Sequence, residues 1–219
     1  MPLIVIEGVD CSGKETQTEN LYNGLKNAGY KVLRISFPDY ESESSSLVKM
    51  YLRGDFGKSA YDVNPYTASA FFAVDRFASY KTKWGEFLNE GIVIADRYVT
   101  SNMVHQASKM ATDSEKEAYI NWLYDFEYER MGLPKPDMVL FLDMPLELSE
   151  KLLSNRYHGD PSKKDVHERD KSFMYRCHEI ARFIAARQGW TMVPCSKDGE
   201  ILPMDTITED LKSRLARWL

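Results

Sequence analysis

Gly8-Val9-Asp10-Cys11-Ser12-Gly13-Lys14 fits G-x-x-x-x-G-K, a spacing suited to holding phosphate. The two glycines let the backbone turn tightly with its N–H groups pointing inward. The helix that follows offers unpaired N–H groups and a positive dipole end to an anion. Lys14 would reach the β- and γ-phosphates of a nucleotide. The motif asks for Ser or Thr directly after the lysine, where a hydroxyl binds Mg²⁺. This chain has Glu15 there, and Thr16 comes one place late.

Such a loop must be held by a strand before it and a helix after it. Leu3 to Ile6 is uniformly apolar, as in a parallel strand buried on both faces, and Leu21, Tyr22 and Leu25 follow at helical spacing. Further apolar runs predict strands over Lys31–Phe37, Gly91–Asp96, Asp137–Asp143 and Trp190–Cys195, with helical segments between them. The clearest helical segment runs from Tyr66 to Leu88, and the last from Asp205 to Trp218. This alternation predicts an α/β fold with a five-stranded parallel sheet and helices on both faces. The chain shows no repeat and no linker, so residues 1–219 read as a single domain. Asn155 to Arg169 is polar, charged and broken by Gly159 and Pro161. It reads as a mobile loop that either closes over phosphates as a short lid or is simply solvated.

Three smaller groups could add chemistry. Asp96-Arg97-Tyr98 ends the third strand, at the sheet edge where α/β proteins bind ligands. An Asp there could orient Mg²⁺ or its waters, and an Arg could hold a transferring phosphate. Phe72 and Arg76 share a helix face, so the ring could stack on a base while the guanidinium donates to its carbonyls. The alternative is a core phenylalanine with a surface arginine. Asp39 and Tyr40, after Phe37-Pro38, could face a substrate or form an ordinary turn. His105 reads more simply as a packing residue than as a base.

Composition narrows the partners. The chain is 43% hydrophobic and 28% charged, with a net charge of −5, which argues against a general nucleic-acid binder. No apolar run approaches the ~20 residues of a membrane span, and no signal peptide is visible, so a cytoplasmic location is expected. The three cysteines, Cys11, Cys177 and Cys195, lack metal-ligand spacing and fit a reducing compartment. Cys11, inside the loop, is either redox-sensitive or a small tolerated side chain.

Taken in order, several of these features resemble the thymidylate kinases. They are Gly8-Val9-Asp10 with Gly13-Lys14 and Gln17, Phe37-Pro38, Phe72 with Arg76, Asp96-Arg97-Tyr98 with Ser101 and Gln106, and Leu133-Pro134-Lys135-Pro136-Asp137. The resemblance implies a P-loop, three-layer nucleoside-monophosphate-kinase fold, usually a homodimer, that moves the γ-phosphate of ATP to dTMP with Mg²⁺. Residues Gly8, Val9, Asp10, Cys11, Ser12, Gly13, Lys14, Glu15 and Thr16 are then implied to bind ATP. Asp10 is implied to meet the 3′-hydroxyl of dTMP, Phe72 to stack on thymine, and Arg76 to bond its carbonyl. Arg97 would take the acceptor phosphate, and Asp96, with Glu15 beside it, would sit near the metal. Phe37, Ser101, His105 and Gln106 would line the acceptor side, and Arg156 with Lys163 or Lys164 would be the lid's basic contribution. Three positions depart from the family: Glu15, Tyr40 near where many members carry Arg, and His105 where many carry Tyr. Two other functions stay open: a kinase for UMP, dCMP or a deoxynucleoside, or a weakly active nucleotide-binding protein, suggested by Glu15.

Overall fold

The computed structural model describes residues 1–156 and 165–219, excluding the side chains of Asn155 and Arg156. The Arg156 side chain, Lys163 and Lys164, expected in the lid, therefore lie outside the described residues.

β1 (Leu3–Gly8) is buried at all 6 of its positions. It is central in a parallel sheet of order β2-β3-β1-β4-β5, with β2 Val32–Ser36, β3 Ile92–Asp96, β4 Met138–Asp143 and β5 Thr191–Pro194. Side chains alternate across a strand, so an unbroken apolar run feeds two cores at once. Leu3 and Val5 join Val93, Ala95, Val139 and Phe141 on one face. Ile4 and Ile6 join Ile92, Ile94, Leu140 and Leu142 on the other. Each fully buried isoleucine contributes roughly 1.5–3 kcal/mol of transfer free energy.

Helices cover both faces. α1 (Lys14–Asn27) buries Leu21 and Leu25 in the second core, beside Ile207 and Leu211 of α8 (Met204–Arg214). The first core is capped by α4 (Val99–His105), α5 (Asp113–Tyr124) and α7 (Lys171–Arg187). α2 (Ser46–Arg53) and α3 (Pro65–Ser79) pack against each other, and α6 (Leu146–Arg156) follows β4.

Strand expectations hold, with β1 running two residues past Ile6 and the other four trimmed at their ends. The N–H of Phe37 still reaches the Asp96 carbonyl at 3.0 Å, and Pro38, which has no N–H, ends that ladder. The long helix expected from Tyr66 to Leu88 is divided instead. α3 is capped by Asn64, whose side chain accepts from the Thr67 N–H, and ends at Ser79. A π-helical turn (Tyr80–Trp84) and a 3₁₀ turn (Glu86–Asn89) follow. The wide turn carries Trp84 inward, fully buried beside Tyr80 and Tyr98. The last helix likewise ends at Arg214, with a separate 3₁₀ turn at Ala216–Trp218. A small hairpin, β6 (Ser196–Lys197) and β7 (Glu200–Ile201), was not expected. Its Asp198-Gly199 turn has both φ angles positive, a form that suits the twist of a tight hairpin.

Of the expected mobile loop, residues 157–164 lie outside the described residues, and only its end needs a correction. Val166, His167 and Glu168 are buried. Asp165 Oδ1 accepts from the His167 and Glu168 N–H groups, both at 2.8 Å, and the Val166 N–H bonds the Leu52 carbonyl at 3.0 Å. The polar composition of residues 165–168 reflects an internal turn and buried contacts, not solvation.

Candidate active site

The loop after β1 is built by close approach. A Cβ on Gly8 would stand 2.5 Å from Ser12 Oγ and 3.1 Å from the Leu142 carbonyl, so the position takes only glycine. Gly13 opens α1 with φ 87°, and Cys11 also takes a left-handed conformation, φ 56°. Lys14 folds back over the loop, and its Nζ donates to the Val9 carbonyl at 2.7 Å. Burial and the Arg97 cation lower its pKa, against the pull of Asp10, Asp96 and Glu7. Glu15 and Thr16 are exposed on the first turn of α1 and line the same cleft as Lys14, Asp96 and Arg97. Gln17 is tied elsewhere: it donates to the Met204 carbonyl at 3.1 Å and accepts from Thr208 at 2.8 Å. Cys177 and Cys195 are buried free thiols.

Ser12 Oγ and Asp96 Oδ1 are buried with no hydrogen-bond partner among the described residues. Burial raises the Asp96 pKa against Lys14 and Arg97, with Glu7 and Glu15 adding to the rise. An unpaired buried carboxylate oxygen beside a phosphate cradle fits a hard cation or its water. No group of three or more His, Cys, Asp or Glu among the described residues could hold a metal. A cation there would complete its shell from phosphate oxygens and water, as Mg²⁺ commonly does.

The second half of the site lies around Arg97, which leaves β3 with φ 66°. Its Nη2 donates to Asp10 of the phosphate loop, and its Nη1 lies 3.2 Å from His105 Nε2. Burial opposes the Asp10 charge, yet Arg97 and Lys14 hold its carboxyl well below the usual range. Burial, with Arg97 adding to it, lowers His105 to about 4. The imidazole stacks on His167 with centroids 5.6 Å apart and planes 12° from parallel. His167 Nε2 meets the Tyr51 hydroxyl at 2.8 Å, and that hydroxyl also accepts from Lys109 at 3.0 Å.

Above this pair is a pocket lined by Phe37, Phe72, Arg76, Ser101, His105 and Gln106. Phe72 is half-buried, with Tyr51 edge-on to it at 6.1 Å, and Phe37 packs on Tyr98 at 6.0 Å. Both amide atoms of Gln106 are buried without a hydrogen-bond partner among the described residues. The alternative of a surface arginine fails: Arg76 is 1% exposed, held by Glu127 at 2.6 and 2.7 Å. Ser101 donates to Glu7 Oε2 at 2.8 Å, which Thr100 also bonds at 2.7 Å. Tyr40 lies over the pocket mouth, 52% exposed.

The site thus unites the expected residues from the loop, from the end of β3 and from α3. Four contributors escaped sequence reasoning: Glu7, Tyr51, Glu127 and His167. Only Glu7 gave a signal, as a lone carboxylate in an otherwise apolar strand.

A phosphate loop at the carboxyl edge of a parallel sheet, beside a second pocket lined by aromatics and arginines, defines a P-loop α/β nucleotide kinase. A sequence model of thymidylate kinases matches residues 6–202, and the chain belongs to the thymidylate kinase family. It is 35% identical over 190 residues to the thymidylate kinase of Mycobacterium tuberculosis (strain ATCC 25618 / H37Rv), covering 86% of this chain and 87% of that one. It is 28% identical over 219 residues to the Homo sapiens thymidylate kinase, covering 95% of this chain and 90% of that one. The fold is similar to that of the Candida albicans thymidylate kinase, with TM-score 0.73 and 24% identity, over 99% of this chain and 91% of that one.

Proposed function

We propose that this chain transfers the γ-phosphate of ATP to dTMP, giving dTDP and ADP. The observation that carries this reading is the contact between Arg97 and Asp10. It joins the phosphate loop to the aromatic pocket, so one loop borders both substrates.

Phosphoryl transfer requires two anions in line with their repulsion cancelled, and no covalent nucleophile. The loop from Gly8 to Thr16 binds the ATP phosphates, with Lys14 reaching the transferring group. Arg97 holds the acceptor phosphate, whose oxygen is already ionised at neutral pH and needs no strong base. Asp10 takes the 3′-hydroxyl. Phe72 stacks on thymine, Arg76 donates to its carbonyl, and Phe37, Ser101, His105 and Gln106 complete the acceptor wall. Asp96 would hold Mg²⁺, with Glu15 or Thr16 on the first turn of α1 as the second protein contact. When bound, that ion neutralises charge on the β- and γ-phosphates.

The family resemblance supports a homodimer, and the net charge of −5 argues against a nucleic-acid partner while leaving room for small anions held by local Arg and Lys residues. No described helix is long and apolar enough to cross a membrane, and we place the activity in the cytoplasm.

A coupled ADP-release assay with each nucleoside monophosphate tests the reading. Turnover should be highest with dTMP and Mg-ATP. No turnover of dTMP would reject it, and a UMP rate well above the dTMP rate would reassign the acceptor.

A further inference from the structure

The buried pair of Arg76 and Glu127 has a geometry that packing alone does not require. Both residues are almost fully excluded from solvent, at 1% and 0% exposed. Arg76 Nε donates to Glu127 Oε2 at 2.7 Å, and Nη2 donates to Oε1 at 2.6 Å. Two parallel bonds between two planar groups fix the rotation of the guanidinium. The third nitrogen, Nη1, is left over. Its one protein contact among the described residues is a long one, 3.4 Å to the Tyr98 carbonyl, and Arg76 lines the pocket beside Phe72.

Glu127 is itself held. Its Oε1 also accepts from Asn102 Nδ2 at 3.2 Å, and the same amide is 3.3 Å from the Ser69 carbonyl. The residue rides on a π-helical turn, Asp125–Arg130, whose exit is tied by the Leu133 N–H to the Glu127 carbonyl at 3.0 Å. Such turns recur at functional sites because they re-aim a side chain. α3, α4 and the turn after α5 therefore meet at one carboxylate.

We propose that Glu127 is a positioning residue for base selectivity: it locks Arg76 so that one N–H edge faces the acceptor pocket. This rests on the reading of Arg76 as the donor to a base carbonyl. A fixed donor favours a pyrimidine with a carbonyl at C4 and disfavours one with an amino group there, because two donors would meet. A loosely held arginine can turn away from the amino group, and the discrimination falls. Glu127 acts through Arg76 and touches no substrate.

The test compares kcat/KM for dTMP and dCMP, with the ATP KM as control, in three single variants and one double variant. Glu127→Gln keeps the shape of the side chain but turns one arm of the fork into a donor facing a donor. It should lower the dTMP/dCMP ratio about tenfold or more while the ATP KM stays within twofold. Glu127→Asp keeps the charge but shortens the reach, and should lower the ratio by less. This variant carries the test if the glutamine variant does not fold. Arg76→Gln should abolish the preference, and adding Glu127→Gln to it should change nothing further. If Arg76→Gln abolishes the preference while both Glu127 variants keep it, the positioning role is wrong and the reading of Arg76 stands. If Arg76→Gln leaves the ratio intact, the reading of Arg76 fails and the inference fails with it. A parallel loss of dTMP, dCMP and ATP use in the Glu127 variants would mark a merely structural residue and overturn the proposal.

Discussion

Arg97 Nη1 lies 3.2 Å from His105 Nε2, and the direction of that bond follows from chemistry. A guanidinium has donors only, so the imidazole accepts at Nε2 and carries its proton on Nδ1. The Nδ1 atom is buried with no hydrogen-bond partner among the described residues. One ring away, Lys109 donates to the Tyr51 hydroxyl, which also meets His167 Nε2. Burial holds both imidazoles neutral, and they stack beneath the aromatic pocket.

Acid should destabilise the fold through His105, in opposition to the raised carboxyl of Asp165. Burial, with Arg97 beside it, lowers His105 to about 4, while an unfolded histidine titrates near 6.5. Between those values the unfolded chain binds more protons, so stability falls as pH drops through that window. The loss from His105 alone is on the order of 2 kcal/mol at pH 5, and the depressed pKa of His167 adds in the same direction. Urea unfolding at pH 7.5 and pH 5 measures it. His105→Gln should flatten the slope, and an unchanged slope would show that His105 is not the titrating group.

Asp10 should read the sugar. Its carboxylate is held ionised against burial by Arg97 and Lys14, which suits it to accept from a hydroxyl. A hydrogen bond to a charged group is worth roughly 1.5–3 kcal/mol, or about tenfold and above in binding. The wild-type chain should bind dTMP at least about tenfold more tightly than its 3′-deoxy analogue. Asp10→Ala should bring that ratio near one in a calorimetric titration. A ratio that survives the substitution would place the 3′-hydroxyl elsewhere.

What the amino-acid sequence revealed, and what it hid, follows from how far each feature reaches. Gly8 and Gly13-Lys14 were legible because the loop's conformation is a local demand on backbone freedom. The five strands were legible because burial on both faces makes a run uniformly apolar, as in Leu3 to Ile6. The Arg76–Glu127 pair spans 51 positions, and Glu127 sits within Asp-Phe-Glu-Tyr-Glu-Arg, where one buried acid looks like its exposed neighbours. The π turns were invisible because an extra residue in one turn barely disturbs an apolar pattern of period 3.6. His167 was misread for a related reason. Its polar neighbours satisfy one another within a turn, so their composition did not report their burial.

Asp165 should limit stability in alkaline solution. Burial and the nearby Asp10 and Glu168 carboxylates push it up to about 7. A raised carboxyl binds its proton more tightly in the folded state. Its stabilising contribution is therefore present in acid and lost as pH rises from near 4 through 7. Asp165→Asn keeps an oxygen to accept from the His167 and Glu168 N–H groups but removes the charge. The variant should be more stable at pH 8 by up to about 4 kcal/mol, roughly 10 °C in melting temperature, and little changed at pH 4. Equal melting at pH 8 would mean the carboxylate is already neutralised by its surroundings.

Glu15 poses the sharpest question about the metal. The motif places a hydroxyl after the lysine, and here a carboxylate occupies the exposed first turn of α1 instead. Its charge suits the positive end of the helix but adds to the negative charge around Asp96 and any bound triphosphate. Thr16, on the same turn and in the same cleft, can supply the missing hydroxyl. If Asp96 and Thr16 carry the metal's protein contacts, Glu15 is dispensable. Glu15→Ser should then keep or raise turnover, with half-saturation at equal or lower Mg²⁺. Thr16→Ala in the same assay should lower turnover and demand more Mg²⁺. A large loss in Glu15→Ser with unchanged circular dichroism would reverse this assignment. The carboxylate itself, directly or through water, would then be a metal contact in place of the hydroxyl.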